Sequence, residues 1–136
     1  MNLTMTARIT SVLAVLFWIG KATSIGLAGG ADEGPLVNLL FLAGLVLAIS
    51  AGVALALRAT AGRPLWQRIA AGVLTVPLTF GIATAIDQLV KASVSSTHWA
   101  WSEVNLWVMG AALLSLAWWP RGHLPHADPV RHTLPA

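Results

Sequence analysis

Residues 66–91 read WQRIAAGVLTVPLTFGIATAIDQLVK, an apolar run with a basic start, a proline in its middle and an acidic exit. Arg68 opens the run, Asp87 and Lys91 close it, and the eighteen residues between Arg68 and Asp87 carry no charge. A helix needs about 20 apolar residues to cross a hydrocarbon core ~30 Å thick, so the stretch reads as a membrane helix over 66–91. Pro77 lies near its centre, where it removes one backbone hydrogen bond and predicts a kink that frees the carbonyl of Val73. Thr75 and Thr79 are the hydroxyls near enough in sequence to satisfy that carbonyl. At 100° per residue, Val76, Phe80, Ala83, Thr84, Asp87 and Lys91 share one face.

Composition agrees with that reading along the rest of the chain. Of 136 residues, 57% are hydrophobic and 10% charged, with a mean hydropathy of +0.76, values that do not describe a water-soluble domain. The net charge of +3 is carried by arginines spread over the ends of the apolar runs, which points to membrane topology and not to nucleic acid. There is no cysteine, hence no disulfide, iron–sulfur cluster or thiol redox centre.

Three further apolar runs complete the pattern, at about 9–28, 36–57 and 99–119. The first follows Arg8 and ends in the small-residue stretch LAGGA, which resembles a signal-peptide cleavage region, but Lys21 interrupts the run and favours a retained helix. Asp32, Glu33, Gly34 and Pro35 make an acidic turn before the second run, which carries no charge from Leu36 to Leu57. Arg58, Arg63 and Arg68 frame a basic loop, and Pro120 and Arg121 end the fourth run. Basic loops mark the cytoplasmic side, so the expected architecture is an all-α integral membrane protein: a four-transmembrane-helix, up-down-up-down bundle over residues 1–122, with both termini cytoplasmic in the inner (plasma) membrane. A tail rich in proline and histidine follows over 123–136.

Tryptophan placement fits the same scheme. Trp99 and Trp101 at one end of the fourth run and Trp118 and Trp119 at the other are separated by ~27 Å of helix, an aromatic belt at each interface. Trp66 anchors the inner interface, while Trp18 and Trp107 fall at membrane depth and are expected between helices. Gly44, Ala48 and Gly52, with Ala51 beside them, form a small-residue strip on the second helix; Gly110, Ala111 and Ser115 form another on the fourth. Such strips let helix backbones approach closely, within one bundle or between copies.

Chemistry-bearing residues are few. Lys21 lies about 20 Å along the helix from Arg8, at a depth where an ionisable group needs a partner. Thr10, Ala14, Phe17 and Lys21 share a face that is expected to point into the bundle. Asp87 and Glu103 approach from the same side of the membrane, so Lys21 is expected to pair with Glu103 or with Asp87, and Lys91 completes an intramembrane charge cluster with them. The blander alternatives are a lysine that snorkels to the interface and an Asp87–Lys91 pair one turn apart. His98 is an interfacial residue. His123, His126 and His132, with Asp128 nearby, have no metal-binding spacing, and no metal or cofactor is expected. No nucleophile elbow, zinc-protease motif, phosphate loop or carboxylate pair is present, so no catalytic residue is assigned.

Arg8, Gly20 and Lys21 resemble the first helix of DoxX-like proteins, a family of small four-helix bacterial membrane proteins. The likeness covers that helix alone, with Gly20 and Lys21 adjacent where the family separates them and a second helix without the family's polar residues, so the chain is not assigned to the family. Functionally, the chain is expected to be a non-catalytic accessory or structural subunit whose partners are the lipid bilayer and other membrane subunits or copies of itself, with no nucleic acid. The alternative is a small oligomeric transporter or channel that uses Lys21, Asp87 and Glu103.

Overall fold

Asn2 starts the first helix. Its Oδ1 accepts from the backbone N–H groups of Thr4 and Met5 at 3.2 and 3.3 Å, satisfying donors that a helix start leaves unpaired. The computed structural model describes residues 2–30, 34–94 and 98–119, and all regular structure among them is helical. Helix α1 spans Leu3–Leu27, α2 Pro35–Ala59, α3 Leu65–Ser93, α4 Trp99–Ser102 and α5 Val104–Trp118.

Helix α1 therefore begins six residues before the expected start at Ile9. Polar residues do not end it, because Thr6 and Thr10 donate their hydroxyls to the carbonyls of Asn2 and Thr6, four residues back, at 3.2 and 2.8 Å. It stops at the LAGG stretch. Gly29 and Gly30 take positive φ of 71° and 94°, and their N–H groups return to Gly26 and Ile25 at 3.2 and 2.9 Å, a Schellman ending that needs glycine at its left-handed position. Pro35, at the first turn of α2, lacks only a donor that the helix start would leave unpaired.

Helices α1, α2 and α3 contain 25, 25 and 29 residues, or ~37 Å and more of axis, and each is long and apolar enough to cross a membrane. The fourth apolar run differs from expectation. It is not one helix over 99–119 but two, broken at Glu103, and α5 alone spans 15 residues, ~22 Å. Polar side chains around the break compete for its backbone. Ser102 donates to the carbonyl of Trp99 at 2.6 Å, and Asn105 Oδ1 accepts from the N–H of Leu106 at 2.7 Å.

The core is built by α1, α2 and α5: Ala14 and Trp18 meet Ala48 and Ala51, with Leu106, Met109 and Leu113 completing the cluster. Alanines on facing helices allow close approach, and the one large indole fills the space they leave. Helix α2 packs along the whole of α1, while α3 lies against α2 and α5 and buries only Gly72. The longest helix thus sits at the periphery. Pro77 is exposed within it and α3 continues through the position. The threonines do not serve the freed Val73 carbonyl: Thr75 donates to Ala71 at 2.8 Å and Thr79 to Thr75 at 2.7 Å, because a threonine hydroxyl reaches its own i−4 carbonyl most easily.

Candidate functional site

Lys21 lies one turn beyond the core tryptophan, Trp18, so the face that buries the indole carries the lysine inward at the end of α1. Glu103 stands at the break between α4 and α5 and is 4% exposed. The two meet: Nζ of Lys21 donates to Oε1 of Glu103, with side-chain exposures of 13% and 5%. Nζ also lies 5.6 Å from the centre of the Phe41 ring on α2, whose π face attracts a cation. The pair joins α1 to the α4–α5 corner and leaves the interior electrically neutral there.

Oε2 of Glu103 has no hydrogen bond among the described residues, and neither does Nε1 of Trp18, which lies against Gly44; both are shielded from solvent. The carboxylate thus uses one oxygen and keeps the other. Asp87 does not join the group; it accepts from Lys91 at 2.7 Å, one turn on, with side-chain exposures of 26% and 66%. The four residues of the charge cluster are therefore two separate pairs, one inside the bundle and one on the surface of α3.

The small-residue strip of α2 faces inward in part. Ala48 and Ala51 are buried in the core, and Gly44 is buried under Trp18. A Cβ at Gly44 would stand 2.5 Å from Trp18 Cδ1, and one at Gly52 would stand 2.7 Å from Thr75 Cγ2 on α3. On α5, Gly110 is buried and a Cβ there would stand 2.9 Å from Val15 Cγ2, but Ala111 and Ser115 face outward. The buried stripe of that helix runs through Leu106, Met109, Gly110, Leu113 and Ala117, so of the expected strip Gly110 lies on the packed face while Ala111 and Ser115 fall outside it.

Of the tryptophans, Trp18 is 6% exposed and packed between helices, as its depth implies, whereas Trp107 is 55% exposed and faces out of the bundle, a correction to the expected placement of both inside. Val108 beside it is exposed too, because the stripe through Leu106 and Met109 takes the inner face. Trp66, Trp101, Trp118 and Trp119 are exposed at the helix ends. Trp99 is half-buried against Gly26 and Gly30 and stacks on His98 with ring centres 5.6 Å apart. His98 caps α4, its Nδ1 accepting from the N–H of Ala100 at 3.2 Å. Asp32, Glu33, Arg121, Asp128, His123, His126 and His132 lie outside the described residues. Among the described ones, no group of three or more His, Cys, Asp or Glu side chains could hold a metal ion.

One constellation was not legible as such in the sequence. At the end of the bundle away from Glu103, Arg8 Nε and Arg58 Nη1 both donate to the carbonyl of Ala117, at 3.3 and 3.4 Å, and Arg58 Nη2 donates to Leu116 at 3.3 Å. The Arg8 guanidinium also lies 5.3 Å from the centre of the Trp118 ring. Three elements are thereby clasped at one point, and two cations face the negative end of the α5 dipole. The arginines at run ends read only as topology signals, since nothing in one sequence says which carbonyl they reach. Compared with family models, curated proteins and solved structures, the chain gives no match.

Proposed function

We propose that the chain is a small non-catalytic membrane protein: a four-crossing, up-down-up-down bundle in the inner (plasma) membrane, with both termini cytoplasmic, that acts as a structural or accessory subunit of a larger membrane complex or of a homo-oligomer. In this reading α4 and α5 together make the fourth crossing, and the basic Arg8, Arg58–Arg68 end lies on the cytoplasmic side.

The observation that carries the reading is α3. It is the longest helix, yet Gly72 is its one buried residue, while Ile69, Val73, Leu74, Leu78, Ile82 and Leu89 are all exposed. A helix that adds so little to its own chain's core offers its surface to a neighbour. Acyl chains can cover such a face as well, so the native assembly decides. The full chain is extracted from its own membranes in mild detergent, and its mass and composition are read by native mass spectrometry. A fixed ratio with larger polypeptides, or a discrete multimer, is the expected result; a lone monomer overturns it.

A second reading, a small oligomeric transporter or channel, draws on the unused Oε2 of Glu103 beside Lys21. A buried acceptor without a donor is a place where a proton or polar solute can bind. Lys21→Met separates the two. A subunit role predicts lost stability or association, and a conducting role predicts altered flux through a bundle that stays folded.

A further inference from the structure

The charges of the bundle are sorted by end. Among the described residues the two carboxylates, Asp87 and Glu103, are each taken by a lysine, Lys91 and Lys21. Arg8, Arg63 and Arg68 have no carboxylate within ion-pair distance among the described residues, and they gather where α1 starts, α2 ends and α3 starts.

Arg8 is the one of them that is held in place. Its Nε is tied to the Ala117 carbonyl and its guanidinium lies over Trp118, which fixes the plane of the group. The side chain is exposed, and Nη1 and Nη2 have no hydrogen-bond partner among the described residues. Two terminal N–H groups presented on a fixed plane match the paired oxygens of a phosphate.

Beyond Arg8 the same face of α1 is apolar. Val12, Leu16 and Ile19 are exposed, at spacings of four, four and three, and they continue one stripe from the guanidinium toward the middle of the helix. Trp66, Trp118 and Trp119 are exposed at the same end, and indoles of this kind sit at the level of lipid headgroups. A cation fork at headgroup depth above an apolar stripe has the form of a lipid, charged at one end and aliphatic below.

We propose that the Arg8–Trp118 corner binds the phosphodiester headgroup of an anionic phospholipid, one acyl chain of which lies along Val12, Leu16 and Ile19. The proposal rests on the membrane reading of the chain. Its test uses the full chain in nanodiscs of phosphatidylcholine alone and of phosphatidylcholine with a minority of phosphatidylglycerol, with the lipid retained on transfer to detergent counted by native mass spectrometry.

The wild type is expected to retain phosphatidylglycerol about fivefold above its share of the disc, the effect of one basic side chain at an anionic surface. Arg8→Gln should abolish the enrichment, and Lys91→Gln, which removes the same charge at the other end, should leave it. Should Arg8→Gln not fold, Trp118→Leu keeps the arginine but removes its platform and is expected to lower the enrichment. Equal retention of the two lipids by the wild type, or unchanged enrichment in Arg8→Gln, overturns the site. Inorganic phosphate added to phosphatidylcholine discs distinguishes a soluble ligand: if it raises the unfolding temperature of the wild type but not of Arg8→Gln, the lipid assignment fails. A chain that does not enter phosphatidylcholine discs overturns the membrane reading and this inference together.

Discussion

Lys21 of α1 and Glu103 at the α4–α5 break, 82 residues apart in sequence, form the one ion pair inside the bundle among the described residues. Removing one partner strands the other charge in a low-dielectric interior, which costs about 3 kcal/mol or more for a buried pair. Lys21→Met and Glu103→Gln should therefore each destabilise the chain by roughly that amount in a reversible unfolding assay in detergent. The double variant Lys21→Met/Glu103→Leu should recover to within about 1 kcal/mol of wild type, because neither charge is then left alone. Single variants within about 0.5 kcal/mol of wild type would mean the pair behaves as a surface contact.

Glycine positions are expected to separate by what an added methyl meets. At Gly44 it strikes the rigid indole of Trp18, at Gly52 the Thr75 methyl, whose rotamer is tied by the bond to Ala71, and at Gly110 the tip of Val15. At Gly81 nothing lies within 4 Å. Gly44→Ala should cost about 2 kcal/mol or more, Gly52→Ala and Gly110→Ala less in that order, as overpacking does when the neighbour can yield. Gly81→Ala should stabilise α3 by about 0.5–1 kcal/mol through helix propensity. Thermal unfolding of the four variants gives the order, and Gly44→Ala matching Gly81→Ala would contradict the packing of Trp18.

How far the sequence carried differs from element to element, for physical reasons. The three long helices were legible because a run of about 20 predominantly apolar residues, long enough to cross a bilayer, is displayed directly by one sequence. The start of α1 was not, since the threonines at 4, 6 and 10 look like a polar leader, and the bonds that Thr6 and Thr10 make to i−4 carbonyls cannot be counted in advance. The break at Glu103 was hidden for a similar reason: Ser102 and Asn105 are tolerated in helices and their competition with the backbone emerges only in place. Trp107 and Ala111 were misplaced because a helix rotated by one residue turns a different face inward, and a run as uniformly apolar as α5 does not fix its own rotation.

The clasp at the end of α5 should protect its last turn. Arg58 donates to Leu116 and Ala117, and Arg8 to Ala117, where the final carbonyls have no helical partner. Arg58→Gln should raise amide hydrogen exchange across the C-terminal turn of α5 and cost about 1 kcal/mol, the worth of a charged group meeting helix carbonyls. Exchange at the Glu103 end of the same helix should not change. Uniform exchange along α5 in both proteins would show that the arginines do not hold that end.

Pro77 is exposed on the most peripheral helix, and no described side chain uses the Val73 carbonyl that it frees. If the proline is tolerated only because α3 carries little of the core, replacing it restores one backbone hydrogen bond and relieves the clash with the preceding turn. Pro77→Ala should then raise stability by about 1–3 kcal/mol, the gain expected from removing a mid-helix proline, with the native assembly unchanged in mass. A hinge role predicts something else. In that case Pro77→Ala would leave stability higher but alter the assembly or any flux it supports, since a straightened α3 would present Leu74, Leu78 and Leu89 along a different line. Unfolding curves and native mass spectra of the same preparation distinguish the outcomes, and a less stable variant would contradict both, showing that α3 packs in a shape only proline permits.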